Sequence, residues 1–154
     1  MKPNTYTQLI IHIVFAVKYR QSLLVQPYKD EICKYASGIV DNKNCKYHII
    51  NGHLDHLHVL AGLNPNISIS DLVRDIKRST SLFINERRWF YGRFAWQEGY
   101  SAFSVRFEDL PRIYQYILNQ EEHHAKQSFR EEYIAHLREN EVPLKKKYLF
   151  KFFD

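Results

Sequence analysis

Glycine and proline are scarce, five of each in 154 residues, so few positions interrupt regular structure. There are two cysteines, Cys33 and Cys45, and they form no Cys-x-x-Cys pair. That excludes a disulfide framework and suits a reducing, cytoplasmic setting. No apolar run is long enough to span a bilayer: the longest, Leu9 to Val17, is broken by His12. No small-residue cleavage site follows that run, and Lys18 and Arg20 come next, so it reads as mature structure rather than a signal peptide. No repeat, low-complexity tract or linker divides residues 5–142. The expectation is one domain over 1–142, followed by a basic aromatic tail over 143–154. What is present is ordinary for a globular chain, 45% hydrophobic and 25% charged residues, which excludes a disordered or fibrous protein. Aromatics are plentiful, with 11 tyrosines, so a core can form without covalent staples. The net charge of +5 permits an anionic partner without demanding one.

Leu9 to Val17 is apolar on both alternating faces and rich in β-branched residues, the pattern of a strand buried on both sides. Tyr28 to Asn42 reads as a helix, with Ile32, Tyr35, Ala36 and Ile39 at helical spacing. Tyr47 to Ile50 reads as a short strand closed by an Asn51-Gly52 turn, and Leu57 to Ala61 as a third strand. Ser68-x-x-Asp71 opens a long helix with the stripe Ile69, Leu72, Val73, Ile76 and Phe83. A fourth strand is expected near Tyr100 to Phe107. Glu108-Asp109 and Pro111 start a third helix reaching about His124, and a further helix spans Phe129 to Glu139. The order β-α-β-β-α-β followed by helices is that of an α+β, ferredoxin-like sheet, with the first and third strands as its central pair.

Two constellations carry chemistry. In Asp55-His56-Leu57-His58, residues two apart on a strand share a face, so His56 and His58 present two imidazoles side by side while Leu57 points the other way. Such a pair begins a divalent-metal site, although an isolated His-x-His is common without one. Asp55 is either an acceptor orienting one of the two imidazoles or a turn residue before the strand. On the third helix, Leu110, Ile113, Tyr114, Ile117 and Leu118 form a core stripe, with Tyr116 off its centre and Gln120 one turn later beside it. Arg74, Lys77 and Arg78 cluster on the second helix, readable as a solvated face or as phosphate contacts. The tail Lys145 to Phe153 interleaves bases with aromatics, as a stacking platform or as packing against a partner subunit.

The strand His56-Leu57-His58 resembles the HUH motif, and Tyr116-Ile-Leu-Asn-Gln120 resembles the catalytic helix of the single-tyrosine HUH transposases of small insertion sequences. The segments His12-Ile-Val-Phe15, Lys18-Tyr-Arg20 and Phe94 to Ser104 are similar to that family too, over roughly residues 6–126. The resemblance implies a transposase that cleaves and rejoins single-stranded DNA at hairpin-bearing element ends. Tyr116 would form a 5′-phosphotyrosine, with Mg²⁺ or Mn²⁺ held by His56, His58 and Gln120. It further implies a homodimer in which the tyrosine helix of one subunit can serve the histidines of the other. His53, His123 and His124 receive no role. Two rivals stay open: another metal-dependent hydrolase using the histidine-rich segment, and a non-catalytic hairpin-binding module on the same sheet.

Overall fold

The computed structural model describes residues 4–120 and 128–142. A strand with apolar residues on both faces must be covered on both, and β1 (Ile10–Ala16) is buried along its whole length. It pairs antiparallel with β3 (His56–Gly62) on one side and β4 (Ser101–Ser104) on the other. β2 (Lys46–His53) closes the far edge, giving the order β2-β3-β1-β4. This is the ferredoxin-like α+β arrangement, with β1 and β3 central as their sequences require.

Helices α1 (Tyr28–Asn42) and α2 (Ile69–Arg87) cover one face. Ile32, Ala36 and Val40 of α1 and Leu72, Val73 and Ile76 of α2 join Ile13, Phe15, Leu57 and Val59 in the main core. The start of α2 is fixed by Ser68, whose hydroxyl accepts the Asp71 amide at 3.0 Å, and its end by Arg88 in the left-handed region at φ 56°. The other face is covered in two patches. Helix α3 (Leu110–Leu118) inserts Ile113 and Ile117 against Ile10, Ile49 and Leu60. Helix α4 (Phe129–Glu139) packs Phe129, Tyr133 and Leu137 on Val14, Ala16 and Phe103. Among the described residues, no helix is long and apolar enough to cross a membrane.

Four local expectations need correction. Asn51-Gly52 is not a turn: β2 runs through it to His53, and the reversal falls at Leu54-Asp55, where Leu54 has φ 31°. A register shift falls earlier in β2, between Tyr47 and Ile49, and from Ile49 to His53 the pairing with β3 is regular. The fourth strand is only Ser101–Ser104, because Val105 leaves the ladder after its amide bonds to Ile10. The third helix ends at Leu118 with Asn119 as its cap, and residues 121–124 of the expected helix lie outside the described residues. Finally, α3 is rotated about its axis relative to the expected stripe. Ile113 and Ile117 are buried, Tyr114 and Leu118 are 37% and 48% exposed, and Tyr116 is turned inward against the core. The polar histidine face of the sheet draws that side of the helix in.

Gly52 is required by close approach, since a Cβ there would collide with the His56 carbonyl oxygen and meet Leu57 Cδ2 at 2.9 Å. Its own carbonyl accepts from the buried Lys29 amine at 3.2 Å, so the strand cannot easily shift away. Gly38, in the middle of α1, has nothing within 4 Å of such an atom. Gly52→Ala should therefore destabilise by about 1–3 kcal/mol, whereas Gly38→Ala should stabilise by roughly 0.5–1 kcal/mol. Denaturant unfolding of both variants checks the opposite signs.

Candidate active site

The strand places His56 and His58 on the face away from α1 and α2, both fully buried, while Leu57 goes into the main core. His12 joins them from β1, 2% exposed, with its Nε2 2.7 Å from His58 Nδ1 and the two rings stacked. Three imidazoles on one apolar sheet face would be costly unless hydrogen-bonded, and each has partners. Asp55, at the β2–β3 reversal, accepts from His56 Nδ1 at 2.9 Å. Its second oxygen accepts from Arg20 Nε at 2.7 Å and lies 2.6 Å from a terminal guanidinium nitrogen. Burial alone would raise the Asp55 carboxyl, but the hydrogen bond it accepts from His56 and the charge and hydrogen bond of Arg20 outweigh that and hold it below 3.8.

Helix α4 supplies what the sequence reading missed. Glu132, 1% exposed, sets Oε1 2.9 Å from His58 Nε2 and 3.7 Å from His56 Nε2. His136, one turn on, places Nε2 3.1 Å from the Tyr116 hydroxyl and stands edge-on to the His12 ring. Phe129 stacks flat on His56 at 3.8 Å between centroids, with the Arg20 guanidinium 4.7 Å from its own ring centre. The missed signal was available: Glu132 and His136 lie on the same side of the helix as Phe129, Tyr133 and Leu137. An acid and an imidazole interleaved with a core stripe have to meet polar partners inside.

Helix α3 brings the remaining groups. The Tyr116 ring lies 5.8 Å from that of His58 of its own chain. Burial, the negative charge of Glu132 and a hydrogen bond to Glu132 raise the Tyr116 phenol far above 10, only partly opposed by Gln120, so it is protonated at neutral pH. Gln120, fully buried just past the end of α3, directs Oε1 at His56 Nε2 (3.2 Å) while its amide nitrogen donates to the Tyr116 carbonyl at 3.3 Å. His12 is driven well below 6.5 by desolvation and by the neighbouring His58 and His136, and stays neutral.

This donor set fits a divalent cation. With its Nδ1–H given to Asp55, His56 presents the Nε2 lone pair, and it faces two further oxygen acceptors, Gln120 Oε1 and Glu132 Oε1. His56, His58 and Glu132 each offer one ligand atom, all within 4.8 Å of one another. Mixed imidazole and oxygen ligation suits Mn²⁺ and related ions, with Mg²⁺ the harder alternative.

The other residues singled out in the sequence lie elsewhere. Arg74, Lys77 and Arg78 are on α2, across the sheet from the histidines. Arg74 pairs with Asp71 (3.1 Å) and Asp75 (3.5 Å), and Arg78 is exposed. The Lys77 amine donates to the carbonyls of Gln97 (2.8 Å) and Gly99 (3.0 Å), stapling that loop to the helix. His53 ends β2, opposite His56. His123, His124 and the tail lie outside the described residues.

Comparison with known proteins gives concordant results. A family model described as "Transposase IS200 like" matches residues 5–120. The ISDra2 transposase TnpA of Deinococcus radiodurans is 26% identical over 120 residues, covering 73% of this chain and 84% of the relative. Among solved structures, a candidate transposase from Deinococcus radiodurans superposes with a TM-score of 0.60 at 24% identity, over 78% of this chain and 96% of its own. A REP-associated tyrosine transposase bound to a REP hairpin gives a TM-score of 0.58 at 15% identity, over 80% and 73% respectively. At these identities the two structures establish a shared fold.

The Asp55 contacts make a pH-dependent contribution. Because its folded-state value is depressed, the stabilisation is complete above the ordinary carboxyl value of 3.8 and is lost as pH falls through the lower folded value. Asp55→Asn should cost about 1–3 kcal/mol at pH 7, and the gap to wild type should close progressively below pH 3.8. Unfolding curves of both proteins from pH 7 downward check this.

Proposed function

Since this chain belongs to the IS200-like transposase family, we propose that it cleaves and rejoins single-stranded DNA at hairpin-bearing element ends, with Tyr116 as the nucleophile. The observation that carries the reading is the Tyr116 ring seated 5.8 Å from that of His58, in contact with a buried cluster of imidazole, amide and carboxylate donors. The phenolic oxygen attacks the scissile phosphorus, forming the tyrosine–phosphate bond to the 5′ side, and the bond to the 3′ oxygen breaks. The proton leaving the phenol passes to His136 Nε2, which faces the hydroxyl at 3.1 Å, and the 3′ oxygen takes one up as a free hydroxyl. Bond energy is retained in the phosphotyrosine, so attack by a 3′ hydroxyl reverses the step and rejoins strands without a nucleotide cofactor.

Such a phenol is a poor nucleophile, and the residues around it indicate how that is overcome. A divalent cation, Mg²⁺ or Mn²⁺, held by His56, His58 and Gln120 would supply Lewis-acid polarisation of the scissile phosphate. Asp55 and Phe129 fix the His56 ring, the first by hydrogen bond and the second by stacking. Gln120 anchors its amide on the Tyr116 carbonyl, which couples the position of one group to the other. For DNA outside the cleaved bond, the exposed guanidiniums of Arg74 and Arg78 are available to phosphates. Lys77, with two donors committed to carbonyls, keeps a third. The hairpin carried by a structural neighbour supports hairpins as the partner class. A symmetric homodimer would supply the two cuts that moving a segment needs, each subunit contributing a complete site.

With a labelled single-stranded hairpin oligonucleotide and Mn²⁺, a covalent protein–DNA adduct should form and should disappear in Tyr116→Phe. His56→Ala and His58→Ala should each lower adduct formation by at least about 100-fold, and chelator should do the same. Hairpin binding without any adduct would instead identify a binding module, and cleavage without an adduct a hydrolase. Mixing His56→Ala with Tyr116→Phe subunits should not restore activity, because the tyrosine serves its own chain. Recovery of cleavage would show that tyrosine helices cross between subunits.

A further inference from the structure

We infer that Glu132 of helix α4 is a protein ligand to the divalent cation, so that the centre is a buried set of two histidines and one carboxylate. This rests on the proposed role of His56 and His58 as cation ligands, and it adds a residue beyond the 5–120 span that the family model matches. Nothing about family membership therefore supplies it; it comes from where α4 docks.

Three observations carry it. Ligand atoms that share a small cation at about 2.0–2.2 Å lie roughly 3–3.6 Å from one another. Glu132 Oε1 is 2.9 Å from His58 Nε2 and 3.7 Å from His56 Nε2, so one oxygen is already within ligand-to-ligand range of both. Next, Glu132 is 1% exposed, and a carboxylate is rarely taken out of water unless a cation or strong hydrogen bonds receive it. Finally, two imidazoles and the Gln120 amide are all neutral ligands, leaving both charges of the ion uncompensated. Glu132 neutralises one and leaves the other for a phosphate oxygen. Gln120 approaches from the His56 side and Glu132 mainly from the His58 side, so the two oxygens are complementary positions rather than rivals. Two imidazoles with a carboxylate also favour Mn²⁺ over Mg²⁺.

The full-length chain, stripped with chelator, is titrated with MnCl₂ by calorimetry, and its melting temperature is followed with and without Mn²⁺. Wild type should bind one ion. Glu132→Gln keeps the size and an acceptor oxygen but loses the charge. It should bind at least about 10-fold more weakly, show a correspondingly smaller rise in melting temperature on adding Mn²⁺, and melt close to wild type in chelator. Equal Mn²⁺ affinity in Glu132→Gln and wild type would overturn the proposal, leaving Glu132 only a hydrogen-bond acceptor for His58. A wild type that takes up no Mn²⁺ would remove the cation itself, and with it the metal step of the proposed function. Should Glu132→Gln fail to fold, infrared difference spectra of wild type labelled with ¹³C-glutamate decide. Saturation with Mn²⁺ should shift a glutamate carboxylate band, and an unchanged spectrum would overturn the assignment.

Discussion

Burying imidazoles inside a β-sheet protein is the constraint around which one whole side of this molecule is organised. His12, His56 and His58 sit on the same sheet face, at most 2% exposed. Each ring nitrogen that is left unmatched there costs free energy, so hydrogen-bonding groups have to arrive from other elements. Asp55 comes from the reversal before β3, Gln120 from the end of α3, and Glu132 with His136 from α4. The opposite face has no such demand. It is closed by aliphatic side chains from α1 and α2 in the ordinary way.

The framework was legible because periodicity is a strong signal where burial is complete. β1 is apolar on both faces and central, α2 carries its own cap at Ser68, and the element order leaves few topologies to choose from. Boundaries failed where a local signal competed with tertiary packing. Asn51-Gly52 has the chemistry of a turn, yet glycine is needed there because β3 passes too close for a side chain. Tyr116 and Gln120 could be paired from their spacing, and His56 with His58 from theirs. That the two pairs meet within one chain could not be read, because it depends on how α3 packs across the sheet. Glu132 and His136 were overlooked since their helix looks amphipathic in the usual sense. The acid among Phe129, Tyr133 and Leu137 was the readable signal, and the sheet's polar face supplies the partners it called for.

The two faces also divide the chemistry. The histidine face is enclosed by α3 and α4, and Tyr116 is held by contacts to residues from both the sheet and α4. The exposed basic residues of α2 lie on the far side, where their charges are partly met by Asp71 and Asp75. A long nucleic acid that touched both would have to wrap around a sheet edge. β4 is the shorter of the two edge strands, with only four residues in the ladder. The Lys77 amine holds the chain just before it, through the carbonyls of Gln97 and Gly99. That edge is thereby tied to the same helix that carries the arginines.

Chain order adds a temporal consequence. The sheet is complete once Ser104 has been made, but the tyrosine follows it and α4 ends only at Glu139. At about 5–20 residues per second, ribosomes need roughly 2–7 s to cover that interval. At its start a growing chain holds the histidine pair with neither Tyr116 nor Glu132 yet made. A chain that ends before residue 116 has the whole sheet and its histidine pair, but neither Tyr116 nor the α4 side chains that close over them.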